Sequence, residues 1–397
     1  MILSIRASSY LLPALCAAGL AANVSGRTVD PLITLISIEF SVGVAAAALV
    51  TSAYALPFAL GQPLLGPLGD IYGRIWMLKI SVWLLALSLL LSAFAPTFEF
   101  LAAARFFAGL TAGGIVPACM ATIGDTYPPE RRQLAISTFV TMGLLAQIFA
   151  TSTSGIVGEA LGWRYVLFGT GLIALLAAVI ASAILRIPPA PAQRFSIGLA
   201  ASNYRSVFQN PKAVLCYSTV FLEGVALYGM MPYVAEIFRQ RGGGGATEAG
   251  IVIGSIGVGG LLYIGFVSML LRRFNRPQFM AAGGLLMMTG PLLLATGIAW
   301  PLVAAAFGVT GFGFMLLHNS IQTETVDLAP MARQSAYSLH AFSFFGGQAA
   351  GPVVFGIAFV AFGDRLSLLI SAAILGATGL IISYLFRRIA RRSDRRM

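Results

Sequence analysis

A chain of 397 residues that is 58% hydrophobic and only 10% charged is not an ordinary water-soluble domain, where about a quarter of residues are charged. Its mean hydropathy of +0.87 puts most of its surface against hydrocarbon, and its formal charge of +11 must be concentrated in few places. Its three cysteines, Cys16, Cys119 and Cys216, all fall inside apolar runs and suggest neither a disulfide framework nor a metal site.

A membrane-spanning helix takes roughly 20 apolar residues. Apolar runs occupy 8–29, 43–64, 76–95, 99–123, 134–158, 163–185, 212–236, 249–271, 278–298, 301–323, 335–361 and 364–386, which predicts twelve spans. The first run lacks a small-residue cleavage site and continues into Asn23, Arg27 and Asp30, so it reads as a helix rather than a removable signal.

Between runs two and three, Gly66-Pro67-Leu68-Gly69-Asp70-Ile71-Tyr72-Gly73-Arg74 packs three glycines, a proline, an acid and a base into a tight turn. Run four carries Arg105, six residues past Glu99 and so about 9 Å down the helix. A guanidinium in hydrocarbon has to face the bundle interior and find a partner. The expected partner is Asp30, with Arg27 one turn away. The pair is either a proton-coupling device, because displacing the arginine invites a proton onto the aspartate, or a static clamp between helices one and four.

The longest polar interruption, 187–211, opens Pro188-Pro189-Ala190-Pro191 and then alternates apolar and polar residues. It reads as a cytoplasmic linker with an amphipathic helix lying on the membrane surface. Glu223 follows, eleven residues into run seven and close to mid-depth. An intramembrane carboxylate there is a candidate for carrying a proton or binding a cationic group, against a structural hydrogen bond as the plainer alternative. Tyr228 shares that helix; His318, Asn319 and Gln322 lie in the inner half of helix ten, and His340 and Gln348 in helix eleven. Histidine titrates near physiological pH, which leaves a coupling role open; two histidines do not make a metal site without further ligands, and polar contacts between neighbouring helices are the plainer reading for both. Tyr54, Gln62 and Gln147 are further candidates to line a cavity with Arg27. The run Gly242–Gly245 lacks the Lys-Ser/Thr of a nucleotide loop, so neither ATP nor another cofactor is expected.

With the N-terminus inside, 19 of the 25 basic residues fall on the inner side, 4 outside, and Arg27 and Arg105 within spans. That bias predicts both termini in the cytoplasm and a multi-pass protein of the plasma (inner) membrane. It also explains the basic tail as a topology signal next to anionic lipid rather than a nucleic-acid patch. The halves repeat: Asp125, Pro128 and Arg131 recur as Asp327, Pro330 and Arg333, and Gly109 as Gly311, at a shift of 202. Two parallel repeats place a site near the midplane between them. The expected organisation is a first six-helix bundle at 1–186, the linker at 187–211, a second bundle at 212–386 and a basic tail at 387–397.

Gly66-x-x-x-Asp70-x-x-Gly73-Arg74 resembles the loop signature of the major facilitator superfamily. Thr51–Leu56 and Gly61-Gln62-Pro63 resemble second helices of its drug:proton antiporter branch, and Arg105-x-x-x-Gly109-x-x-x-Gly113-x-x-x-Pro117 resembles its fourth-helix motif. Gly162-Trp163-Arg164 opens helix six as in family members. Helix five departs from the antiporter pattern, with Ala150-Thr151 and Ser154-Gly155 in place of Gly-Pro and Gly-Gly, while Gly351-Pro352 stands in helix eleven.

The resemblance implies an all-α membrane protein with two six-helix bundles related by a pseudo-twofold axis, acting as a monomeric transporter rather than an enzyme. It implies that Gly66, Asp70, Gly73 and Arg74 gate the outward-facing state. Asp70 would meet the start of helix eleven near Gln334 and Ser335, and Arg74 would meet an acid. Asp30, Arg105 and Glu223 are the coupling candidates; Arg27, Tyr54, Gln62, Gln147, Tyr228, His318, Asn319 and Gln348 are the cavity candidates. The expected activity is proton-coupled efflux of a small organic compound. A proton symporter importing a metabolite and a non-transporting membrane receptor are the alternatives.

Overall fold

The computed structural model describes residues 3–185, 197–329 and 332–394, with no strand among them. Residues 186–196, which hold the first part of the expected linker 187–211, and the side chains of 64–72 and of Gln334 lie outside the described residues, and with them the expected Asp70 contact and the role of Gly66.

The helices are α1 (Leu3–Arg27), α2 (Leu49–Tyr72), α3 (Arg74–Ala93), α4 in two pieces (Phe98–Ala112 and Ile115–Thr126), α5 (Pro129–Leu161) and α6 (Trp163–Ile184). A connector helix, Ile197–Phe208, follows where the linker was expected to turn amphipathic. Then come α7 (beginning Lys212–Glu223), α8 (Ala246–Arg273), α9 (Arg276–Met287 and Thr289–Thr296) and α10 (Trp300–Asp327). The final helical stretch, Arg333–Asp394, is divided at Gly363, whose φ of 78° is non-helical, into α11 (333–362) and α12 (364–394). Ten described stretches are long and apolar enough to cross a membrane. Dividing the last of them at Gly363 and adding α1, which packs along α5 and α6, yields the twelve-helix bundle.

The two halves repeat in detail. Gly109 of α4 lies where any Cβ would strike the Tyr54 carbonyl of α2, and Gly311 of α10 lies in the same way against the Ile256 carbonyl of α8. Both members of each pair are related by the shift of 202. Small residues let helix backbones come this close in a bilayer, where packing rather than water expulsion drives association. Arg74 pairs with Asp125 at one end of the bundle, and Arg276 lies 3.6 Å from Asp327 at the matching place. At the opposite end, Glu39 holds Arg164 at 2.7 Å and Arg241 holds Asp364 at 2.6 Å. Glu39 and Arg241 are themselves 202 apart, so this clasp recurs with its charges exchanged.

The first helix of each half breaks at the same point. α1 ends at Arg27, turns through the 3-10 segment Asp30–Leu32, and resumes as Ile33–Glu39. α7 runs to Glu223, widens into a π turn at Gly224–Tyr228, and passes through the 3-10 segment Met231–Tyr233 to Val234–Gln240. Each 3-10 segment contains a proline, Pro31 and Pro232, which removes a backbone donor and prevents a regular helix from continuing.

Candidate functional site

Between the halves lies a cavity of about 610 Å³, within the range of small-molecule sites. Its floor is buried: Arg27 and Tyr228 are each 8% exposed and Gln348 5%. Towards the end that carries the Gly73 turn it opens, with Val140 and Ile264 each 45% and Tyr337 47% exposed. At the other end the halves are shut against each other. Gly155 of α5 meets the Ala246 backbone of α8, and Glu159 accepts a hydrogen bond from the Thr247 backbone N–H at 2.8 Å, capping α8 from across the interface.

The breaks in α1 and α7 deliver the charged floor. The turn after Arg27 folds Asp30 back beneath it, so Arg27 Nη1 donates to Asp30 Oδ2 at 3.3 Å. Thr51 of α2 donates to the other carboxylate oxygen at 3.0 Å. Arg27 also donates to the Gln348 side chain of α11, crossing from one half to the other, and its guanidinium carbon lies 4.0 Å from the centre of the Tyr228 ring. One side chain is thus held by an acid of its own half and by an amide and an aromatic face of the opposite half.

Arg105 is fully buried and does not pair with Asp30 as expected. It donates to the Ser25 carbonyl at 3.0 Å and lies over the Tyr54 ring at 4.3 Å, with Nε and Nη2 unpartnered. The physical reason is the 3-10 turn: it swings Asp30 toward its own helix, and the opened end of α1 exposes a carbonyl that Arg105 takes instead. Tyr54 is fixed there by its hydroxyl, 2.8 Å from Ser25 Oγ.

Of the cavity candidates, Arg27, Gln147, Tyr228, His318, Asn319 and Gln348 line the main cavity. Tyr54 lines a small adjoining hollow of about 80 Å³ with Arg27, Gln147 and Gln348. Gln62 lines neither and instead donates to the Gly113 carbonyl at 3.2 Å, tying α2 to α4. Glu223 is fully buried behind His318, which it meets at 2.9 Å, and is not on the cavity surface. Gly73, with φ of 95°, starts α3, and Arg74 meets the acid Asp125. An aromatic wall escaped sequence reading. Phe344 packs on Phe314 at 5.7 Å and Phe345 on Phe58 of the other half at 4.5 Å. The adjacent pair Phe344-Phe345 facing Gln348 one turn later was the available signal. No cluster of metal-binding side chains occurs among the described residues.

The chain resembles known proteins along most of its length. The sequence model of the Major Facilitator Superfamily matches residues 14–337. An MFS-type transporter of Bacillus subtilis, YybF, is 24% identical over 83% of this chain and 80% of its own. A second from the same organism, YwfA, is 26% identical over 60% of this chain, and the match spans 58% of that relative's length. Among solved structures, the nucleoside transporter NupG superposes with a TM-score of 0.79, 16% identity, and coverage of 95% of this chain and all of that one. A D-xylose-proton symporter superposes with a TM-score of 0.77, 16% identity, and coverage of 94% and 96%. These likenesses confirm the fold of an integral membrane transporter, not an enzyme, and with a family model spanning most of the sequence the chain belongs to the Major Facilitator Superfamily.

Proposed function

We propose that this chain is a proton-coupled antiporter that exports a small amphipathic or polar organic compound by alternating access. The observation that carries the reading is the position of Arg27. It is tethered to Asp30 in its own half and to Gln348 and Tyr228 in the other, at the floor of the cavity. A proton on Asp30 removes the anion that holds Arg27, so proton binding alters a contact between the halves, which is what coupling requires. The wall of Phe314, Phe344 and Phe345 beside the amides of Gln147, Asn319 and Gln348 suits a ligand with one apolar and one hydrogen-bonding face. The basic residues gather at the open end, which supports a reading with that end and both termini at the cytoplasm of the plasma (inner) membrane. The described residues that line the cavity all belong to one chain, which supports a monomer as the working unit.

The absence of a proline at Ala150-Thr151 favours a second reading, proton symport of a metabolite into the cell. Untargeted comparison of metabolites in cells with and without the chain supplies candidate compounds. Each is then added to proteoliposomes holding a pH indicator. Antiport predicts that protons leave the compartment the compound enters; symport predicts that they accompany it. Asp30→Asn is expected to abolish proton-driven flux while sparing exchange of the compound for itself. Proton-driven flux that survives Asp30→Asn would contradict the assignment.

A further inference from the structure

Four side chains of the second half form one hydrogen-bonded row. Glu223 Oε2 of α7 lies 2.9 Å from His318 Nδ1 of α10. His318 Nε2 lies 3.3 Å from His340 Nε2 of α11. His340 Nδ1 lies 3.3 Å from Thr325 Oγ1, back on α10. The π turn that follows Glu223 presses α7 onto α11, where Gly224 meets the Phe344 carbonyl and the Gln348 backbone N–H with no room for a Cβ. π turns of this kind recur at functional sites.

The direction of the row follows from its far end. The Thr325 hydroxyl donates to the Ile321 carbonyl at 2.9 Å, the usual bond of a threonine inside a helix. Its oxygen then accepts from His340, which must carry its hydrogen on Nδ1. A neutral imidazole has one N–H, so His340 Nε2 accepts and His318 donates to it from Nε2. His318 Nδ1 is then bare, and the proton on the 2.9 Å contact belongs to Glu223. Passing that proton to His318 creates a carboxylate–imidazolium pair and leaves every other bond of the row as it was. Glu223 Oε1 has no partner and no access to water. An orphaned oxygen costs far less on a neutral acid than on a carboxylate, which puts the resting proton on Glu223.

His318 alone opens the row to the cavity, its side chain 12% exposed against 0% for Glu223. Phe314 and Phe344 flank its ring at 4.8 and 4.6 Å and keep the row dry. The titratable groups facing it from the packed elements are Tyr228 and Cys216 of α7 and Tyr337 of α11. The nearest described charges are Arg27, which stops at the Tyr228 ring, and the Lys212–Glu324 pair beyond Cys216.

We propose that Glu223, His318 and His340 form a second proton-binding site, distinct from Asp30, which gains and loses its proton through His318 at the cavity wall. Its purpose rests on the proton-coupled reading above, but its occupancy is measurable without transport. Infrared difference spectra of the full chain in lipid nanodiscs, titrated in pH, report the C=O stretch of a protonated carboxyl. The expected band disappears as pH rises, is absent in Glu223→Gln, survives in Asp30→Asn, and titrates about one pH unit or more away from wild type in His318→Gln. Should Glu223→Gln fold poorly, Glu223→Asp is expected to shift the band rather than remove it. Asp30 gives a band of its own, which Asp30→Asn removes; the absence of any band that Glu223→Gln removes and Asp30→Asn spares, or one that no pH removes, would overturn the site. Proton-driven flux without the band overturns this site alone; a titrating band in a chain that moves no protons overturns the antiport reading alone.

Discussion

Arg27 and Asp30 are buried together, and their pairing is what makes the floor of the cavity tolerable in hydrocarbon. Removing one partner strands the other charge, a change that costs about 3–5 kcal/mol in buried pairs. Arg27→Gln is therefore expected to lower the melting temperature in detergent sharply, and the double change Arg27→Gln with Asp30→Asn to recover most of the loss; a single variant as stable as wild type would contradict the pairing. The residue types at this site were legible because a charge at mid-depth has to be explained. Their partners were not. Counting residues down a straight helix placed Asp30 opposite Arg105, but the 3-10 turn at Pro31 returns it to Arg27. Gln62 is a cavity candidate in the sequence, but helix rotation, which the sequence does not encode, turns it to Gly113. For His340 the sequence leaves a coupling role beside the plainer helix-to-helix contact, and only the meeting of three helices reveals the row it joins.

At the scale of helices, the glycines at equivalent places in the two halves set how near α4 comes to α2 and α10 to α8. Gly109→Val and Gly311→Val each force a Cβ into a backbone carbonyl and are expected to cost about 1–3 kcal/mol or to prevent folding. Gly124→Ala, where nothing lies within 4 Å, should melt like the parent and serves as the control. Glu159 raises a different matter. Its bond to the Thr247 amide ties α5 to the start of α8 at the closed end, a cap of the kind worth about 0.5–2 kcal/mol. Glu159→Gln keeps the shape and weakens the bond, so cysteines placed at the closed end should become more reactive to a water-soluble maleimide. Unchanged reactivity would show that the contact does not bias the equilibrium. Sequence periodicity located the spans and the repeat of Gly109 in Gly311. It could not show the paired breaks at Pro31 and Pro232, because a lone proline in an apolar run is equally compatible with a kink or a turn.

On the scale of the whole chain, the fold combines two similar halves with an unequal share of chemistry. Arg27, Asp30 and Arg105 belong to the first half, while Glu223, His318 and His340 belong to the second. The repeat was legible because Asp125, Pro128 and Arg131 recur as a set; the inequality was legible only as scattered charges, since their grouping depends on how the halves close. The proposed coupling has protons bias which end of the bundle is open. That claim is tested most directly by spin-label distances measured as pH is stepped, in a background without Cys16, Cys119 and Cys216. One label pair, at the exposed Leu161 and Ile298, spans the closed end, and another, at Leu134 and Met269, spans the open end. The predicted result is a reciprocal change, one end widening as the other narrows, which is lost in Asp30→Asn. Distances at both ends that do not respond to pH in the wild type would contradict it.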